Sequence, residues 1–375
     1  MPKNIGLDMR IYGTEHGGIG RYAKELFERV LKLDTENAYC LFYNKHAIAP
    51  EDFSALKKFA NAKLIATSAR HYSAAEQTSF LRQLNKQKLD LVHFPNFNAP
   101  YFYSKPYVAT IHDMVHHKIS GAKKSRLAHF WAYKKIIQNT AAKARKIITV
   151  SEYSKTDIVK YLRISPQKIE VIYEACSLPA EVGEAEVEDV KKRYLLRRPY
   201  FLFVGVLERK KNLVNLTRGF DQFIQKYKLN MDLVVVGKTD KHYPEIKHKA
   251  MDIKNRDRLV FAGQVEDSEL AALYKGAYAF ASASLHEGFG LPGVEAMSFN
   301  LPLLVSNIPV FNEIYDNAAL YFNPMDPKDI AEKMHLLARD TRFYSQIQEK
   351  SFLRSQVFKW DDAARRTMEL YRQNL

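Results

Sequence analysis

The stretch that decides the fold is SLHEGFGLPGVEAM, residues 284–297. It follows an apolar run at 277–282 of the kind that forms a buried strand. Gly288 and Gly290 allow the backbone a tight turn, and Pro292 suits the first turn of a helix, where its missing N–H costs nothing. The pattern therefore predicts a strand, a glycine-rich turn and a helix whose N-terminus can bind an anion.

Two carboxylates accompany this turn. Glu287 lies just before the predicted helix and Glu295 lies within it, so both can face a ligand held at the helix N-terminus. Carboxylates repel phosphate, whereas sugar hydroxyls donate hydrogen bonds to them. The pair therefore favours sugar recognition. The alternative is structural, with Glu287 as an exposed loop acid and Glu295 as a favourable charge in the first helical turn.

Outward from this stretch, short apolar runs alternate with helix-length segments along the whole chain. The alternation indicates parallel sheets covered by helices, and its restart near residue 200 indicates two similar sheets. The runs lie at 5–9, 41–43, 91–94, 107–111 and 147–150 in the first half, and at 200–206, 231–236, 259–262, 277–282 and 301–305 in the second.

The length of 375 residues exceeds the size at which a single hydrophobic core stops growing, so two domains are expected. An acidic, loosely patterned stretch at 181–189 marks the boundary. We therefore place the domains at 1–180 and 181–355. The last segment, 356–375, has helical apolar spacing, and the pattern alone leaves open which domain it packs on.

Each half opens with a strand, a loop and a helix. In the first half Gly17 and Gly18 precede a helix, which allows close backbone approach to a phosphate but is also common in ordinary turns. In the second half Arg209, Lys210 and Lys211 follow the strand and would suit a diphosphate. Their alternative role is a solvated basic turn, which fits Arg209 better than Lys211.

The net charge of +15 is concentrated before residue 177. Residues 114–151 contain no acid, and their lysines and arginines alternate with aromatic and aliphatic residues. One interpretation is a surface that contacts anionic lipid headgroups or a phosphorylated acceptor. The other is an amphipathic helix whose basic face is merely solvated. The lysines chosen as candidates for such a contact are Lys123, Lys124, Lys134 and Lys135.

Cysteine usage and the absence of long apolar runs point to the cytoplasm as the expected location. Cys40 and Cys176 are far apart and match no metal-ligand or redox spacing, which favours a reducing compartment. No signal peptide or membrane span is predicted.

Several motifs together resemble those of the retaining glycosyltransferases of family 4. Glu287 and Glu295 are spaced like the two-glutamate motif of that family. The other similar segments, in the order of the family, are residues 17–21, 111–113, 150–155, 210–212, 306–307 with Glu313, and 321–324. The resemblance implies the α/β GT-B fold, in which two Rossmann-like domains face each other across an inter-domain cleft. It also implies that the C-terminal helix crosses back onto the first domain.

The resemblance further implies that the second domain binds the nucleotide-sugar donor and the first binds the acceptor. Glu295 would bind the ribose, Glu287 a hydroxyl of the donor sugar and Lys211 the diphosphate. His112 would lie by the donor sugar, oriented by Asp113; the alternative is a histidine at the edge of the core. The implied catalytic residues are His112, Glu287 and Lys211. The implied donor-binding residues are Gly17, Gly18, Lys210, Lys211, Glu287, Phe289, Gly290, Leu291 and Glu295.

Two departures from the family pattern concern the diphosphate. Relatives commonly have arginine where this chain has Lys210, or glycine-arginine where it has Gly205 and Val206. A lysine cannot reproduce the bidentate contact of an arginine. No Asp-x-Asp triplet is present, so no metal and no other cofactor is expected beyond the donor itself.

Other classes fit the sequence less well. The basic charge permits nucleic-acid binding, but no recognition motif accompanies it. A Rossmann dehydrogenase lacks its glycine fingerprint in both halves. A non-catalytic protein that binds nucleotide sugars or glycans is a further alternative. Similar family members are often mannosyltransferases of lipopolysaccharide or surface-glycan synthesis. The resemblance therefore favours transfer of a hexose, mannose from GDP-mannose, to a glycan or lipid-linked acceptor.

Overall fold

The computed structural model describes residues 2–13, 17–118, 127–179 and 181–375. The chain divides into two compact units. The first contains Met1–Glu174 and Lys359–Leu375, and the second contains Ala175–Phe358. In the part of the chain that is described, no helix is both long enough and apolar enough to cross a bilayer.

The first unit is built on a parallel sheet of seven strands in the order β3-β2-β1-β4-β5-β6-β7. Its strands are β1 (Asn4–Met9), β2 (Ala38–Asn44), β3 (Ala62–Thr67), β4 (Leu91–Phe94), β5 (Tyr107–Thr110), β6 (Lys146–Thr149) and β7 (Ile169–Val171). Its helices before residue 175 are α1 (Gly17–Leu33), α2 (Pro50–Leu56), α3 (Leu81–Lys86), α4 (Val115–Lys118), α5 (Leu127–Lys143) and α6 (Glu152–Leu162), and a π-helical turn, Glu76–Phe80, leads into α3.

Burial on both faces explains the apolar sequence of the central strands. Leu7 in β1 pairs with Leu41 in β2 and with His93 in β4, and all three side chains are fully buried. Helices that cover both faces of a parallel sheet leave its middle strands no solvent-facing side. Helix α1 contributes one apolar face to the core, where Tyr22, Leu26, Phe27 and Val30 are all buried.

The second unit repeats the design with six parallel strands in the order β10-β9-β8-β11-β12-β13. The strands are β8 (Tyr200–Val204), β9 (Asp232–Val236), β10 (Leu259–Gly263), β11 (Ala279–Ser282), β12 (Leu303–Ser306) and β13 (Ala319–Phe322). The helices are α7 (Glu184–Arg193), α8 (Leu213–Tyr227), α9 (Glu245–Ala250), α10 (Asp267–Gly276), α11 (Leu291–Ser298), α12 (Pro309–Tyr315), α13 (Pro327–Arg339) and α14 (Thr341–Ser355).

The last helix, α15 (Trp360–Asn374), belongs to the first unit and packs against α1. Its buried face includes Trp360 and Tyr371. The hydroxyl of Tyr371 lies 2.6 Å from Nδ1 of the buried His93. The prediction that the C-terminal helix returns to the first domain is confirmed.

Three strands that the apolar pattern did not predict are all at sheet edges: β3, β7 and β13. An edge strand has only one strand neighbour and is covered less completely. In β3 only Thr67 is fully buried, and β7 is three residues long. Short or half-exposed strands leave no continuous apolar run in the sequence.

Candidate active site

The glycine-rich turn lies between β11 and α11, as the sequence predicts. Gly290 has φ of +100°, a left-handed conformation that favours glycine, and Pro292 lies in the first turn of α11. The side chain of Tyr315 fills the space beside the turn, and its hydroxyl donates to the Gly290 carbonyl at 2.6 Å. A Cβ at Gly290 or Gly293 would lie 2.3 Å from that hydroxyl. Both glycines are therefore required by the packing of Tyr315.

The first predicted carboxylate, Glu287, forms an ion pair with Lys211. The Lys211 Nζ lies 2.6 Å from Glu287 Oε1, and both side chains are largely buried. The Ser284 hydroxyl donates to the same oxygen at 2.8 Å. The amide of Leu285 donates to the Lys210 carbonyl at 2.7 Å and so joins the two loops. The structure thus brings together two side chains that lie 76 positions apart.

The charge of Glu287 is maintained despite its burial. Burial alone would raise the pKa of this carboxyl, but the nearby ammonium groups of Lys211 and Lys210 and the hydrogen bonds outweigh it and lower the pKa. The carboxylate is therefore ionised at neutral pH. An ionised carboxylate can accept hydrogen bonds from sugar hydroxyls, and its lysine partner is a cation suited to a phosphate.

The second predicted carboxylate, Glu295, is buried inside α11 with 3% of its surface exposed. Its Oε2 accepts a hydrogen bond from the Tyr274 hydroxyl at 2.9 Å. Burial and the nearby Glu295 carboxylate raise the pKa of Tyr274 well above its usual value, so this hydroxyl keeps its proton and remains a donor. The Tyr274 ring stacks on the Phe299 ring, and this contact helps to orient the hydroxyl that donates to Glu295.

The basic turn of the second unit lies between β8 and α8. Lys210 Nζ is 3.4 Å from Glu208 Oε1, and Arg209 is an exposed side chain 3.6 Å from Glu245. Lys211 forms the ion pair with Glu287, and the Lys210 ammonium is near enough to help lower the pKa of that carboxyl. Phe289 is buried and, with Gly290 and Leu291, forms the backbone that enters α11.

In the first unit, His112 follows β5, and both of its ring nitrogens face acceptor oxygens. Its Nδ1 is 3.2 Å from Glu174 Oε1 and its Nε2 is 3.0 Å from the Pro95 carbonyl. Both partners are acceptors, so only the doubly protonated ring donates to both. Burial lowers the pKa of His112, but the hydrogen bond and charge of Glu174 outweigh it and raise the pKa overall.

The predicted orienting partner of His112 is corrected by this geometry. Asp113 accepts a hydrogen bond from the backbone N–H of Val115 at 2.9 Å, where it caps the start of α4. Glu174, which is 62 positions from His112, takes the orienting place instead. The Asp113 side chain is directed to the helix that follows it, whereas Glu174 reaches the ring from a distant part of the chain.

Gly17 and Gly18 form the first positions of α1. Gly17 has φ of +67°, and a Cβ at either glycine would meet no atom of the described residues within 4 Å. Backbone conformation therefore favours glycine at position 17, while the space beside both residues is open.

Two of the four candidate lysines of the basic segment lie among the described residues and two do not. Lys123 and Lys124 lie outside the described residues. Lys134 and Lys135 lie on α5, where the Lys134 ammonium is 4.6 Å from the centre of the Phe130 ring and Lys135 is exposed. Beside them Trp131 is 59% exposed.

Four residues of these sites were not predicted from sequence: Ser284, Tyr274, Tyr315 and Glu174. Ser284 belongs to the quoted motif but carries no signal of its own. The other three lie outside the motifs, and only the fold brings them to the site.

Among the described residues no group of three or more histidines, cysteines or acids is arranged to hold a metal ion.

Two family models match this chain. The model described as Glycosyltransferase Family 4 matches residues 16–178, and the model described as Glycosyl transferases group 1 matches residues 186–354. The chain therefore belongs to glycosyltransferase family 4, which confirms the resemblance inferred from the motifs.

Individual relatives agree with this assignment, and a solved structure agrees with the fold. The chain is 33% identical over 193 residues to the O-antigen chain mannosyltransferase RfbU of Salmonella typhimurium, which covers 52% of this chain and 51% of that protein. It is 25% identical over 370 residues to O-antigen chain mannosyltransferase B of Escherichia coli, covering 95% and 96%. The structure of Anabaena Alr3699/HepE in complex with UDP and glucose matches with a TM-score of 0.76 at 15% identity, covering 99% of each chain. The GT-B fold class is confirmed.

Proposed function

We propose that this protein transfers a hexose from a nucleotide-sugar donor to a glycan or lipid-linked acceptor, with retention of configuration, in the synthesis of surface polysaccharide or lipopolysaccharide. We expect the donor to be GDP-mannose, because both relatives described above are named as O-antigen chain mannosyltransferases. In this proposal the second unit binds the donor and the first unit binds the acceptor.

The observation that supports the proposal best is the ion pair of Lys211 and Glu287 beside the N-terminus of α11. A diphosphate at this turn would give Lys211 a second anion to pair with. In the first turn of α11 the N–H groups of Gly293 and Val294 already donate to the Gly290 carbonyl, and Pro292 has no N–H. The N–H of Leu291 at the start of the helix would add a further donor. The Glu287 carboxylate would then be available to the hydroxyls of the donor sugar.

The departing nucleoside diphosphate accumulates negative charge in the transition state. Preorganised cations and N–H donors stabilise such charge most effectively where water is excluded. We propose that Lys211, Lys210 and the backbone of residues 289–291 supply this stabilisation without a divalent ion. A non-catalytic protein with the same site would bind the donor without releasing GDP from it, so donor-dependent turnover separates the two alternatives.

The direct test of the donor site is the variant Glu295→Gln. Glutamine still accepts from Tyr274, but the charge that receives the ribose hydroxyls is lost. A hydrogen bond to a charged group contributes about 1.5–3 kcal/mol, so we expect the Kd for GDP to rise roughly 10-fold to 100-fold. Isothermal titration in the presence of EDTA measures this affinity and would also reveal a required divalent ion as absent binding.

The matched control for this experiment is Glu332→Gln on α13, where the carboxylate is exposed and 3.8 Å from Lys226. This variant should bind GDP like the unaltered protein. Equal Kd values for Glu295→Gln and Glu332→Gln would refute the ribose-binding role of Glu295.

We also propose that the first unit contacts the anionic inner face of the cytoplasmic membrane. Exposed aromatic rings next to lysines are typical of surfaces that lie at a lipid headgroup layer. Trp131 and Lys135 on α5 provide one such pair. The loop at Tyr101 provides another, because Phe102 is 70% exposed and the Tyr101 carbonyl accepts from Lys143 Nζ at 2.8 Å.

The double variant Lys134→Gln/Lys135→Gln tests this surface. Each basic residue near an anionic bilayer contributes about 1 kcal/mol, so we expect partitioning onto phosphatidylglycerol vesicles to fall roughly 10-fold to 30-fold. Lys328→Gln/Lys350→Gln removes the same charge from exposed positions of the second unit and should change little. Sedimentation with vesicles measures both, and equal losses in the two variants would contradict the proposal.

A further inference from the structure

The carboxyl end of the first sheet carries a second polar cluster, separate from His112. Arg10 follows β1, Tyr72 lies in the connection after β3, and Asn96 and Asn98 follow β4. Carboxyl ends of parallel strands share one edge, which is where open α/β sheets bind ligands. The Pro95 carbonyl, one residue before Asn96, is the partner of His112 Nε2. The cluster therefore adjoins the histidine site.

Tyr72 combines two features that are unfavourable for stability. Its φ is +60°, the left-handed conformation that a residue with a Cβ adopts at an energetic cost, and its side chain is 64% exposed. Burial of the ring therefore does not offset the strain. Residues held in such conformations are concentrated at functional sites.

The orientation of Tyr72 is fixed by polar contacts below it. Its backbone N–H donates to Glu76 Oε2 at 3.2 Å, and its hydroxyl accepts from Asn96 Nδ2 at 3.2 Å. Phe97 lies alongside, with ring centres 5.9 Å apart. Glu76 begins the π-helical turn before α3, and such turns are frequent at functional sites. The result is an exposed aromatic ring held in one direction.

The other carboxylate oxygen of Glu76, Oε1, holds two further side chains in place. Glu76 Oε1 accepts from Arg10 Nη2 at 2.8 Å and from Asn98 Nδ2 at 2.9 Å, so these two side chains lie side by side. Both residues are at least nine-tenths buried, and Arg10 Nη1 and Asn98 Oδ1 have no hydrogen-bond partner among the described residues. Such unpaired buried groups are costly. A hydroxyl, which both accepts and donates, would satisfy the two together.

The charged groups around Arg10 indicate whether the cluster suits an anionic or a neutral ligand. Arg10 is already paired with Asp8 at 2.7 Å and with Glu76 at 2.8 Å. His71 lies beside the same two acids, 3.9 Å from Asp8 and 3.7 Å from Glu76, so the cationic groups of the cluster already have anionic partners. A phosphate would add a third anion to this arrangement and is disfavoured. A neutral sugar suits the cluster better, because the face of a pyranose that carries C–H groups is apolar and its edge carries hydroxyls. An aromatic ring offers a complementary, electron-rich apolar face.

We propose that Tyr72 is the platform on which a neutral acceptor sugar stacks, with Asn96, Asn98 and Arg10 as the polar groups that recognise its hydroxyls. This inference rests on the proposed function, since it names the class of acceptor that the first unit would hold. It assigns Tyr72 to binding of the acceptor sugar and not to chemistry on the donor.

Binding of a neutral glycoside to the full chain tests the inference without requiring turnover. The probe is methyl α-mannopyranoside, and its Kd is obtained from saturation-transfer NMR. We expect Tyr72→Ala to raise that Kd about tenfold, because stacking on the ring is lost, and Tyr72→Phe to stay within about twofold. Tyr72→Asn should bind the probe as weakly as Tyr72→Ala but melt at a higher temperature, because asparagine tolerates the left-handed conformation.

Phe352→Ala removes an aromatic side chain that is 46% exposed on α14 and is the matched control, expected to bind the probe unchanged. The inference is overturned if the unaltered protein shows no saturation transfer to the glycoside, or if Tyr72→Ala binds it as the unaltered protein does. GDP affinity measured on the same samples keeps the two proposals apart. Normal GDP binding with no effect at Tyr72 refutes the acceptor platform alone, whereas absence of GDP binding both in EDTA and with a divalent ion added refutes the proposed function.

Discussion

Lys211→Met should lower the free energy of unfolding by about 3 kcal/mol at pH 7. Methionine fills a similar volume, but the Glu287 carboxylate is then left as a buried charge without its ion-pair partner, a change that typically costs 3–5 kcal/mol. The Ser284 hydroxyl and the nearby Lys210 retain part of the stabilisation, which places the expected loss at the lower end. Denaturant unfolding measures it.

The double variant Lys211→Met/Glu287→Gln distinguishes a stranded charge from a simple loss of packing. Removal of both charges should restore most of the stability, while neither variant should regain enzymatic turnover. Lys328→Met, at a side chain 73% exposed and 4.0 Å from Glu332, should change stability by less than about 0.5 kcal/mol. If the double variant is no more stable than Lys211→Met, the ion pair is not what stabilises this turn.

The same pair gives a pH dependence with a defined sign. The pKa of Glu287 is lowered in the folded protein. Its contribution to stability is therefore present above the unfolded-state pKa of about 4.3 and is lost as the pH falls through the lower folded-state value. The difference in stability between the unaltered protein and Lys211→Met should consequently shrink in acid.

Glu287→Gln should reduce the turnover of GDP-mannose by roughly 100-fold to 1000-fold, the effect typical of removing one preorganised group from an active site. Glutamine is of similar size and still accepts from Ser284, but it leaves the largely buried Lys211 ammonium without its ion-pair partner, so turnover is measured well below the melting temperature of the variant. Glutamine carries no charge to hold Lys211 in place or to receive the hydroxyls of the donor sugar. Release of GDP, measured with saturating donor, is the appropriate assay.

This loss should appear in kcat and much less in the affinity for GDP, because GDP lacks the sugar that Glu287 is proposed to contact. Glu332→Gln serves again as the surface control. A kcat within about threefold of the unaltered enzyme would contradict a catalytic role for Glu287.

The sequence predicts the central parts of both sheets well and the edges poorly. Strands such as β8 and β9 are buried on both faces, and residues 200–204 and 233–236 form continuous apolar runs. The edge strands β3, β7 and β13 are short or partly exposed, and their pattern resembles that of loops. Whether a strand lies at the centre or at the edge of a sheet depends on the whole fold. A local stretch of sequence does not determine it.

In the candidate site, too, some features depend on neighbouring residues and others depend on contacts between distant parts of the chain. The strand, turn and helix around Gly290 follow from local residue preferences, and so does the left-handed Asn300 after α11. The pairing of Glu287 with Lys211 and that of His112 with Glu174 depend on loops that the fold brings together. Sequence reasoning found three of these four residues but not their pairing, and it assigned Asp113 to the place that Glu174 occupies.

The position of α15 has a consequence for the order in which the protein forms during synthesis. The second unit ends at Phe358, so all of it is translated before α15. The first unit, whose strands are translated earliest, still lacks the helix that packs on α1 and the hydroxyl that reaches His93. Until residue 371 emerges, the nascent first unit exposes the apolar surface that α15 later covers. The half that is translated first is therefore the half that is completed last.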